Sequence, residues 1–342
     1  MSFSLDKRMQ IKHYLLEQIE QGEKKYASKT SQCFETSKQT IYNYVKELLS
    51  EEVLEKNDKG RYVLKTTTKS FKFKMSDIME KGEDIVYKEH IQDYTKKFSK
   101  NVQDIWEYAF TEMLNNAIDH SNAKNVQILV MQNYLRTTIF IIDDGIGIFK
   151  KIQTYYHYSS LDEAVEELFK GKLTTDSNNH SGEGIFFTSR ILDIFAAISD
   201  NKIFTHNEYD DVFLDLSANA TSDTGNQRTL IMMDLSNFSK KLLTDVMDSF
   251  ANVDEGFTKT QIPLRRFFAS DPVSRSQAKR LCRRLTSFEE VVFDFTDISQ
   301  IGQGFAHELF IVFQNANPNV KLTPTNCNAE VCRMIKHVRS GM

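Results

Sequence analysis

A row of polar side chains on an otherwise apolar helix constrains this chain most. The stretch AFTEMLNNAIDH, residues 109–120, has apolar residues at helical spacing, which predicts a helix packed on a core. At about 100° per residue, a second stripe beside the apolar one groups four polar residues: Glu112, Asn116, Asp119 and His120. Because acid, amide and imidazole groups meet here at the margin of a core, we expect them to form the floor of a cleft.

Two glycine pairs follow this helix. The stretch RTTIFIIDDGIGIF predicts a buried strand that runs into Asp143, and NVQILVMQNYL before it predicts the partner strand. Glycines one residue apart let a backbone approach a ligand closely, and this turn contains Gly145 and Gly147. In HSGEGIFFTSRILDIFAA, Gly182 and Gly184 open an apolar helix whose first amides form an anion site.

The rest of this middle region, residues 67–245, predicts a loop and two more strands. Residues 150–180 are polar and show no clear period, so we expect a long loop there. DVFLDLSANA and RTLIMMDLS predict a further strand pair, and the second strand begins near Thr229.

In this order the motifs resemble those of the GHKL superfamily of ATPases, which includes gyrase, heat-shock chaperones, mismatch-repair ATPases and histidine kinases. The matching residues are Glu112 and Asn116 on the helix, Asp143, Gly145 and Gly147 in the first turn, Gly182 and Gly184 in the second, and Thr229 on the late strand. The resemblance implies a GHKL α/β sandwich that binds ATP and Mg²⁺.

The resemblance also implies a role for each matching residue. Asp143 would accept the adenine amino group with support from Thr229, and Asn116 would supply an oxygen to Mg²⁺. Glu112 would orient or deprotonate the attacking water or hydroxyl. The phosphates would meet the amides of three consecutive residues: Gly182, Glu183 and Gly184.

Other residues extend this expected site. Asp119 and His120 continue the polar face of the helix, although a structural ion pair is an equal alternative for Asp119. The segment from about 150 to 181 would be the ATP lid, with Gly171, Lys172, Thr174 and Thr175 in it. In that lid, Lys172 either reaches the γ-phosphate or is a solvated loop lysine.

Residues 1–66 predict three helices and a hairpin, with Ser37 capping the third helix and a turn at residues 58–60 joining two short strands. This order resembles a winged helix-turn-helix domain, which places its second motif helix in the major groove. The residues that would face DNA are Lys38, Gln39, Thr40, Tyr42 and Asn43 on the helix and Lys59 and Arg61 on the wing. A winged helix that contacts only proteins is the alternative.

Residues 258–342 predict a small α/β layer fold. SRSQAKRLCRRL, GQGFAHELFIVFQN and NAEVCRMIKHV read as helices, and EEVVFDF and VKLTP read as strands. The pattern resembles the STAS-like domain of unknown function that often follows a GHKL ATPase. True STAS domains are phosphorylated on a serine at the start of a helix, whereas Gln303 stands there and Ser299 lies too early. Glu308 is either a functional or a solvated helix residue.

Charge and composition restrict the partners. The net charge of −4 means that any DNA contact needs a local basic patch. The strongest basic run contains Arg265, Arg266, Arg275, Lys279, Arg280, Arg283 and Arg284. We interpret it as a solvated helix face, with contact to DNA phosphate or to the nucleotide as the alternative.

No apolar run approaches the roughly 20 residues of a membrane span, and the N-terminus lacks signal-peptide features. The four cysteines have neither metal-ligand nor disulfide-framework spacing, so we expect reduced buried thiols. These features predict a cytoplasmic protein without membrane contact.

Taken together, the sequence predicts an α/β multidomain protein in which ATP and Mg²⁺ control a module that binds DNA or a regulatory partner, with a homodimer as the expected state on DNA. One alternative is a serine/threonine kinase of the anti-sigma type that acts on a separate protein. Another is a slow ATPase that gates a stress or phage-defence assembly.

Overall fold

The computed structural model describes residues 3–173, 182–207, 228–252, 256–268 and 270–340. The expected strand DVFLDLSANA and the lid residues Thr174 and Thr175 lie outside these residues. The chain is a mixed α/β multidomain protein with several sheets. A search of the described helices finds none that has both the length and the apolar character for crossing a membrane. All four cysteines are free, but Cys33 is exposed and the other three are half-buried, not buried as expected.

The first unit is a bundle of three helices closed by a hairpin. Its elements are α1 (Leu5–Glu20), α2 (Tyr26–Cys33), α3 (Lys38–Ser50), β1 (Leu54–Lys56) and β2 (Tyr62–Leu64). Ser37 caps α3, since its Oγ accepts a hydrogen bond from the amide of Thr40 at 3.1 Å. Apolar residues at helical spacing, such as Ile41 and Val45, form its core.

The middle unit places a sheet against a layer of helices. Its elements are β3 (Thr67–Lys74), α4 (Met75–Lys81), α5 (Glu83–His90), α6 (Gln92–Thr95), α7 (Lys100–His120), β4 (Asn125–Gln132), β5 (Arg136–Asp143), α8 (Ile148–Tyr156), α9 (Leu161–Leu168), α10 (Gly184–Ile191), β6 (Ile194–Ser199), β7 (Lys202–Thr205) and β8 (Thr229–Ser236). The six described strands pair antiparallel in the order β3-β4-β5-β8-β6-β7.

The alternation of side chains along β5 decides which of them reach the helices. Successive side chains of a strand point to opposite faces, so Ile139, Ile141 and Asp143 share one face. Ile139 and Ile141 belong to the core that α7 fills with Trp106 and Phe110. Asp143 therefore ends the strand on the helix-covered side of the sheet.

Two expectations for this unit are wrong. Residues 150–180 do not form one long loop, because α8 and α9 occupy much of that stretch and bury residues such as Ile152 and Leu168. The apolar helix after Gly184 ends at Ile191, and the next apolar residues form β6, which pairs with β8. Short apolar runs do not distinguish a helix from a buried strand, and here the pairing with β8 decides.

The C-terminal unit is built on a parallel sheet. Its elements, with those leading into it, are α11 (Leu243–Asp248), β9 (Ala251–Asn252), β10 (Gly256–Phe257), β11 (Lys259–Pro263), α12 (Leu264–Phe267), α13 (Arg275–Cys282), a 3₁₀ turn (Leu285–Ser287), β12 (Glu290–Asp294), α14 (Gln303–His307), a π-helical continuation (Glu308–Phe313), α15 (Gln314–Ala316), β13 (Lys321–Thr325) and α16 (Ala329–Ser340). The strand β12 lies between β11 and β13, and both pairings are parallel. The sequence analysis did not predict β11.

The middle and C-terminal units share a core. Phe186 and Phe187 of α10 are only 1% and 3% exposed, and both belong to the C-terminal core. The ring of Phe186 lies 4.4 Å from that of Phe257 and 5.1 Å from that of Phe250. Helix α10 therefore contributes side chains of the middle unit to the core of the C-terminal unit.

The first unit contacts the turn between β4 and β5. Leu135 in that turn packs into the core of the first unit, and Asn133 donates a hydrogen bond to Glu20 at 3.2 Å. The ring of His13 on α1 lies 4.6 Å from that of Phe238. The first unit is thus docked on the end of the sheet.

We expect Phe186→Ala to destabilise the middle and C-terminal units together, by about 3–5 kcal/mol, because a buried aromatic side chain leaves a cavity in their shared core. Urea unfolding can be followed by the fluorescence of Trp106, which reports the middle unit, and by far-UV circular dichroism. The midpoints of the two transitions should shift equally. The exposed Met79→Ala should change stability by less than about 0.5 kcal/mol. An unchanged Trp106 transition in Phe186→Ala would contradict the shared core.

Candidate functional site

A cleft lies between α7, the ends of β5 and β8, α8 and the start of α10. The space in it that the centres of water-sized molecules can occupy is about 100 Å³. Its polar lining consists of Glu112, Asn116, His120, Ser121, Asp143, Lys151, Gly182, Glu183, Gly184 and Thr229. Apolar side chains from α7, β5, β8 and α8 complete it.

Helix α7 lines the cleft with residues spaced one turn apart. Glu112, Asn116 and His120 are four residues apart, so each advances about 40° around the helix, and all three line the cleft. Asp119 lies about 20° to the other side of Glu112, and its side chain is exposed and absent from the lining. Asp119 is therefore not brought into the described lining, and its part in binding stays a prediction.

The amide group of Asn116 has a defined orientation in the cleft. Its Nδ2 contacts Sδ of Met113 at 3.9 Å. The carbonyl oxygen Oδ1 is the atom turned away from that contact, and an amide oxygen is a ligand that Mg²⁺ accepts.

Asp143 and Thr229 are direct partners across β5 and β8. Both side chains are buried, at 4% and 5% exposed. The amide of Gly145 donates to Oδ1 of Asp143 at 2.9 Å, and the amide of Ile148 donates to Oγ1 of Thr229 at 3.1 Å. The two residues thus form one hydrogen-bonded edge on the inner face of the sheet.

Burial raises the pKa of Asp143 from 3.8 to about 6, although hydrogen bonds from Gly145 and Thr229 act in the opposite direction. Removal from water disfavours the charged carboxylate. A buried acid with a shifted pKa in a cleft marks a candidate ligand contact.

The glycines after β5 shape the turn rather than line the cleft. A Cβ on Gly145 would collide with the carbonyl oxygen of Ser121, the residue that ends α7. The neighbouring Ile146 donates its amide to that same oxygen at 2.9 Å. Neither Gly145 nor Gly147 is part of the cleft lining. Gly145 seats the turn against the end of α7, whereas a Cβ on Gly147 would collide with the side chains of Ser199 and Asp200 at the β6–β7 turn.

The start of α10 opens into the cleft. Gly182, Glu183 and Gly184 line it, and the helix runs for eight residues from Gly184. The Cα of Gly184 packs against the carboxylate of Glu112, so that no side chain fits at this position. The positive end of a helix dipole therefore meets a carboxylate beside the cleft.

Lys151 is a cleft residue that the sequence analysis missed. Its Nζ donates to the backbone carbonyl of His120 at 2.8 Å and lies 3.5 Å from Nδ1 of the same histidine. The buried Phe149 and Ile152 on α8 are the signal that could have identified this helix and its position beside the cleft.

Lys172 does not reach the cleft. Its Nζ donates to the carbonyl of Ser287 at 2.8 Å and lies 4.9 Å from the ring centroid of Phe288. Burial lowers the pKa of Lys172, and Glu183 and Glu289 oppose this. The side chain of Lys172 is thus held by the C-terminal unit, and its contact with a γ-phosphate stays a prediction.

The expected DNA-facing residues of the first unit lie on its surface. Lys38, Gln39, Tyr42 and Asn43 are exposed on α3, and Thr40 is half-buried. Lys59 in the hairpin turn and Arg61, directly before β2, are exposed as well. Gln39 and Asn43 contact each other, since Nε2 of Gln39 donates to Oδ1 of Asn43 at 3.2 Å.

The basic run is not a free surface. Arg280, Arg283 and Arg284 each form an ion pair with a glutamate of α9. Arg265 pairs with Asp271 at 3.5 Å. These contacts contradict the interpretation of the whole run as a solvated face and leave less of it for DNA or nucleotide.

Three residues singled out in the sequence of the C-terminal unit lie between β12 and the end of the π-helical continuation. Gln303 is exposed at the first position of α14. Ser299 lies in the loop after β12, which ends at Asp294, and not at the strand end as expected. Glu308 is half-buried at the beginning of the π-helical turn.

Among the residues that the structure describes, no group of three or more His, Cys, Asp or Glu side chains is arranged to hold a metal ion. Any cation in the cleft would depend on single ligands such as Asn116 together with ligands from a bound molecule.

Comparison with known proteins bears on the C-terminal unit. Residues 277–331 match a family described as the STAS-like domain of unknown function (DUF4325). The predicted STAS-like domain is therefore confirmed over these residues. No curated protein matches the chain.

The raised pKa of Asp143 predicts that Asp143→Asn stabilises the protein. Because the pKa of this carboxyl is about 6 in the folded state instead of 3.8, the folded state loses stability as pH rises through this window. The loss of folding free energy amounts to about 3 kcal/mol at neutral pH. Asparagine keeps an oxygen for the amide of Gly145 and carries no charge. Urea unfolding should show a gain that about doubles between pH 5 and pH 8.

Asp144→Asn is the matched control. Burial raises the pKa of Asp144, but hydrogen bonds from Asn125 and Lys124 outweigh it and the pKa is lowered. This carboxylate stabilises the fold at all pH values above its unfolded pKa, so its amide variant should lose stability equally at pH 5 and pH 8. The same pH trend in both variants would contradict the assignment to Asp143.

Proposed function

We propose that this protein is an ATP-responsive regulator, in which a GHKL-type cleft binds ATP with Mg²⁺ and influences a winged-helix module and the C-terminal unit. The observation that carries the proposal is the convergence of separate motifs. Asp143 and Thr229, distant in the chain, are cross-strand partners. They line the same cleft as Glu112, Asn116 and the Gly182–Gly184 segment.

Asp143 and Thr229 would hold the adenine edge. A carboxylate at the end of a buried strand accepts the two hydrogens that an exocyclic amino group donates, and it has few other partners. The apolar side chains of Met113, Ile141 and Ile231, which also line the cleft, suit the faces of a flat ring. Hydrogen bonds from the adenine amino group would thereby offset part of the free-energy cost of burying the Asp143 carboxylate.

The start of α10 would hold the phosphates. Backbone amides at a helix N-terminus, together with the helix dipole, favour an anion. The ammonium of Lys151 lies in the same cleft and adds a positive charge. Asn116 Oδ1 would provide a protein ligand to Mg²⁺, which when bound neutralises phosphate oxygens.

Glu112 would act on the nucleophile. It lies beside Gly184, where the phosphate-binding amides begin. From this position a carboxylate can orient or deprotonate a water or hydroxyl that attacks the terminal phosphate. His120, two turns further along α7 and within 3.5 Å of Lys151, would position that lysine.

The first unit would provide the output. Three helices with a hairpin and an exposed polar face on α3 fit a winged helix that enters a DNA groove. Gln39 and Asn43 suit adenine edges, and Lys59 and Arg61 would contact phosphate.

A protein kinase of the anti-sigma type is the second candidate, and the STAS-like match over residues 277–331 favours it. Gln303 replaces the acceptor serine that the STAS pattern implies, so the substrate would be another protein. Incubation with γ-labelled ATP and lysate distinguishes the readings: label in inorganic phosphate indicates an ATPase, label in a protein indicates a kinase, and neither indicates a sensor.

Glu112→Ala should retain ATP binding and lose turnover by a factor of about 10²–10⁴ if Glu112 is the general base. Calorimetry with and without Mg²⁺ and a phosphate-release assay separate the two properties. Asp143→Asn serves as the opposite control, since it should weaken binding of ATP and of adenosine alike. Parental turnover in Glu112→Ala would remove Glu112 from the mechanism.

Arg61→Ala should weaken binding to all DNA sequences alike and reduce the salt slope by about one, as expected for one lost phosphate contact. Gln39→Ala should instead relax sequence preference more than affinity. Fluorescence anisotropy with the DNA upstream of the protein's own gene, with and without ATP and Mg²⁺, measures both. If no salt-dependent binding occurs in either state, the first unit contacts proteins and not DNA.

A further inference from the structure

The C-terminal unit holds α9 through three ion pairs on one helix face. Glu166 and Glu167 lie three and four residues after Glu163, so both neighbour it on one side of α9. They face a basic group at the end of α13, with N–O distances of 2.8 Å to Arg283, 2.9 Å to Arg280 and 3.0 Å to Arg284, respectively.

A buried lysine connects the same two elements. Lys170, directly after α9, is completely buried and its Nζ donates to Glu167 at 2.5 Å. The same ammonium donates to the carbonyls of Arg280 at 3.2 Å and Arg283 at 3.0 Å, which lie at the C-terminal end of α13. The middle unit thus caps a helix of the C-terminal unit with a positive charge.

Besides its ion pair with Glu167, Arg284 binds the backbone segment that leads to the cleft. Its guanidinium donates to the carbonyl of Gly171 at 3.1 Å and to that of Lys172. Lys172 in turn donates to the carbonyl of Ser287, the last residue of the 3₁₀ turn that follows Arg284. Arg284 has a φ of 63°, a left-handed conformation that is disfavoured for a residue with a Cβ.

The clamped segment touches the phosphate end of the cleft. Leu173, which follows it, lines the cleft, and its backbone packs so closely on Gly182 that a Cβ there would collide with it. Two residues after Gly182, the Cα of Gly184 packs against the carboxylate of Glu112. Each step from Arg284 to Glu112 is therefore a direct contact.

We propose that Arg284 of the C-terminal unit is a positioning residue for the phosphate-binding segment Gly182–Gly184, so that this unit completes the nucleotide site without entering it. The inference rests on the proposed ATP site. It assigns the C-terminal unit a second task besides any partner binding, since its docking on α9 sets the geometry of the cleft. A fixed segment has less motion to lose when a phosphate binds, which favours affinity.

The test compares ATP with adenosine. In the full chain, Arg284→Ala should weaken ATP binding about tenfold, equivalent to about 1.4 kcal/mol, and leave the Kd of adenosine unchanged, because Asp143 and Thr229 remain in place. The variant keeps Lys170 paired with Glu167, so the buried charges stay balanced. Arg284→Lys, which retains the charge but not the planar fork, should give the same selective loss if the alanine variant folds poorly.

Arg283→Ala is the matched control, since it removes an ion pair to α9 from a neighbouring position but has no contact with residues 171–172 among the described bonds. It should leave both affinities unchanged. Equal losses in Arg283→Ala and Arg284→Ala would show that only docking matters and would overturn the positioning role. Parental ATP affinity in Arg284→Ala would overturn it as well, whereas a parental protein that binds no ATP would instead overturn the proposed function on which it rests.

Discussion

The architecture depends on one short helix, α10, which contributes side chains to the cores of both the middle and the C-terminal units. Gly184 and Ile185 at the start of α10 line the cleft, and Phe186 and Phe187, the next two residues of the same first turn, are buried in the C-terminal core. Arg190 near its end donates to the carbonyl of Gln261 on β11 at 3.0 Å, so that the helix also contacts the parallel sheet. Because a helix is stiff over eight residues, a shift of the C-terminal unit displaces the Gly184 end as well. The two units are thus mechanically one body around the cleft.

The buried charge at Asp143 opposes folding, and this is informative about the cleft. Its raised pKa means that the folded protein would be more stable with a neutral side chain at neutral pH. Hydrogen bonds from Gly145 and Thr229 reduce the unfavourable effect without removing it. A position that retains a destabilising acid in a core is expected where a ligand needs that acid, and stability and binding then conflict at the same atom. This conflict supports the proposed adenine contact independently of the motif order.

The sequence predicted most local elements but not the contacts between units. The period of α7 and the alternation in β5 were enough to bring Asn116 and Asp143 to one cleft. The position of Asp119 outside the lining could not be predicted, because a stripe about 100° wide on a helical wheel does not show where a cleft ends. The contact of Lys172 with Ser287 could not be predicted either, because nothing local shows that a lysine in an apparent loop will be held by a distant unit. The helices in residues 150–180 were missed because they are short, and burial against the sheet rather than propensity stabilises them.

The ion pairs at α9 also restrict how the proposed regulator can contact DNA. Arg280, Arg283 and Arg284 each lie within 3.0 Å of a glutamate, and the side chain of Glu167 is only 2% exposed. Turning these arginines toward DNA phosphate would break all three ion pairs, although Glu167 would keep its bond to Lys170. In the proposed regulator, more of the phosphate contacts would then come from the first unit, where few basic side chains face the expected groove. So few contacts give weak, strongly salt-dependent binding for one copy. Two copies on adjacent half-sites would double them, which is the physical reason to expect a dimer on DNA.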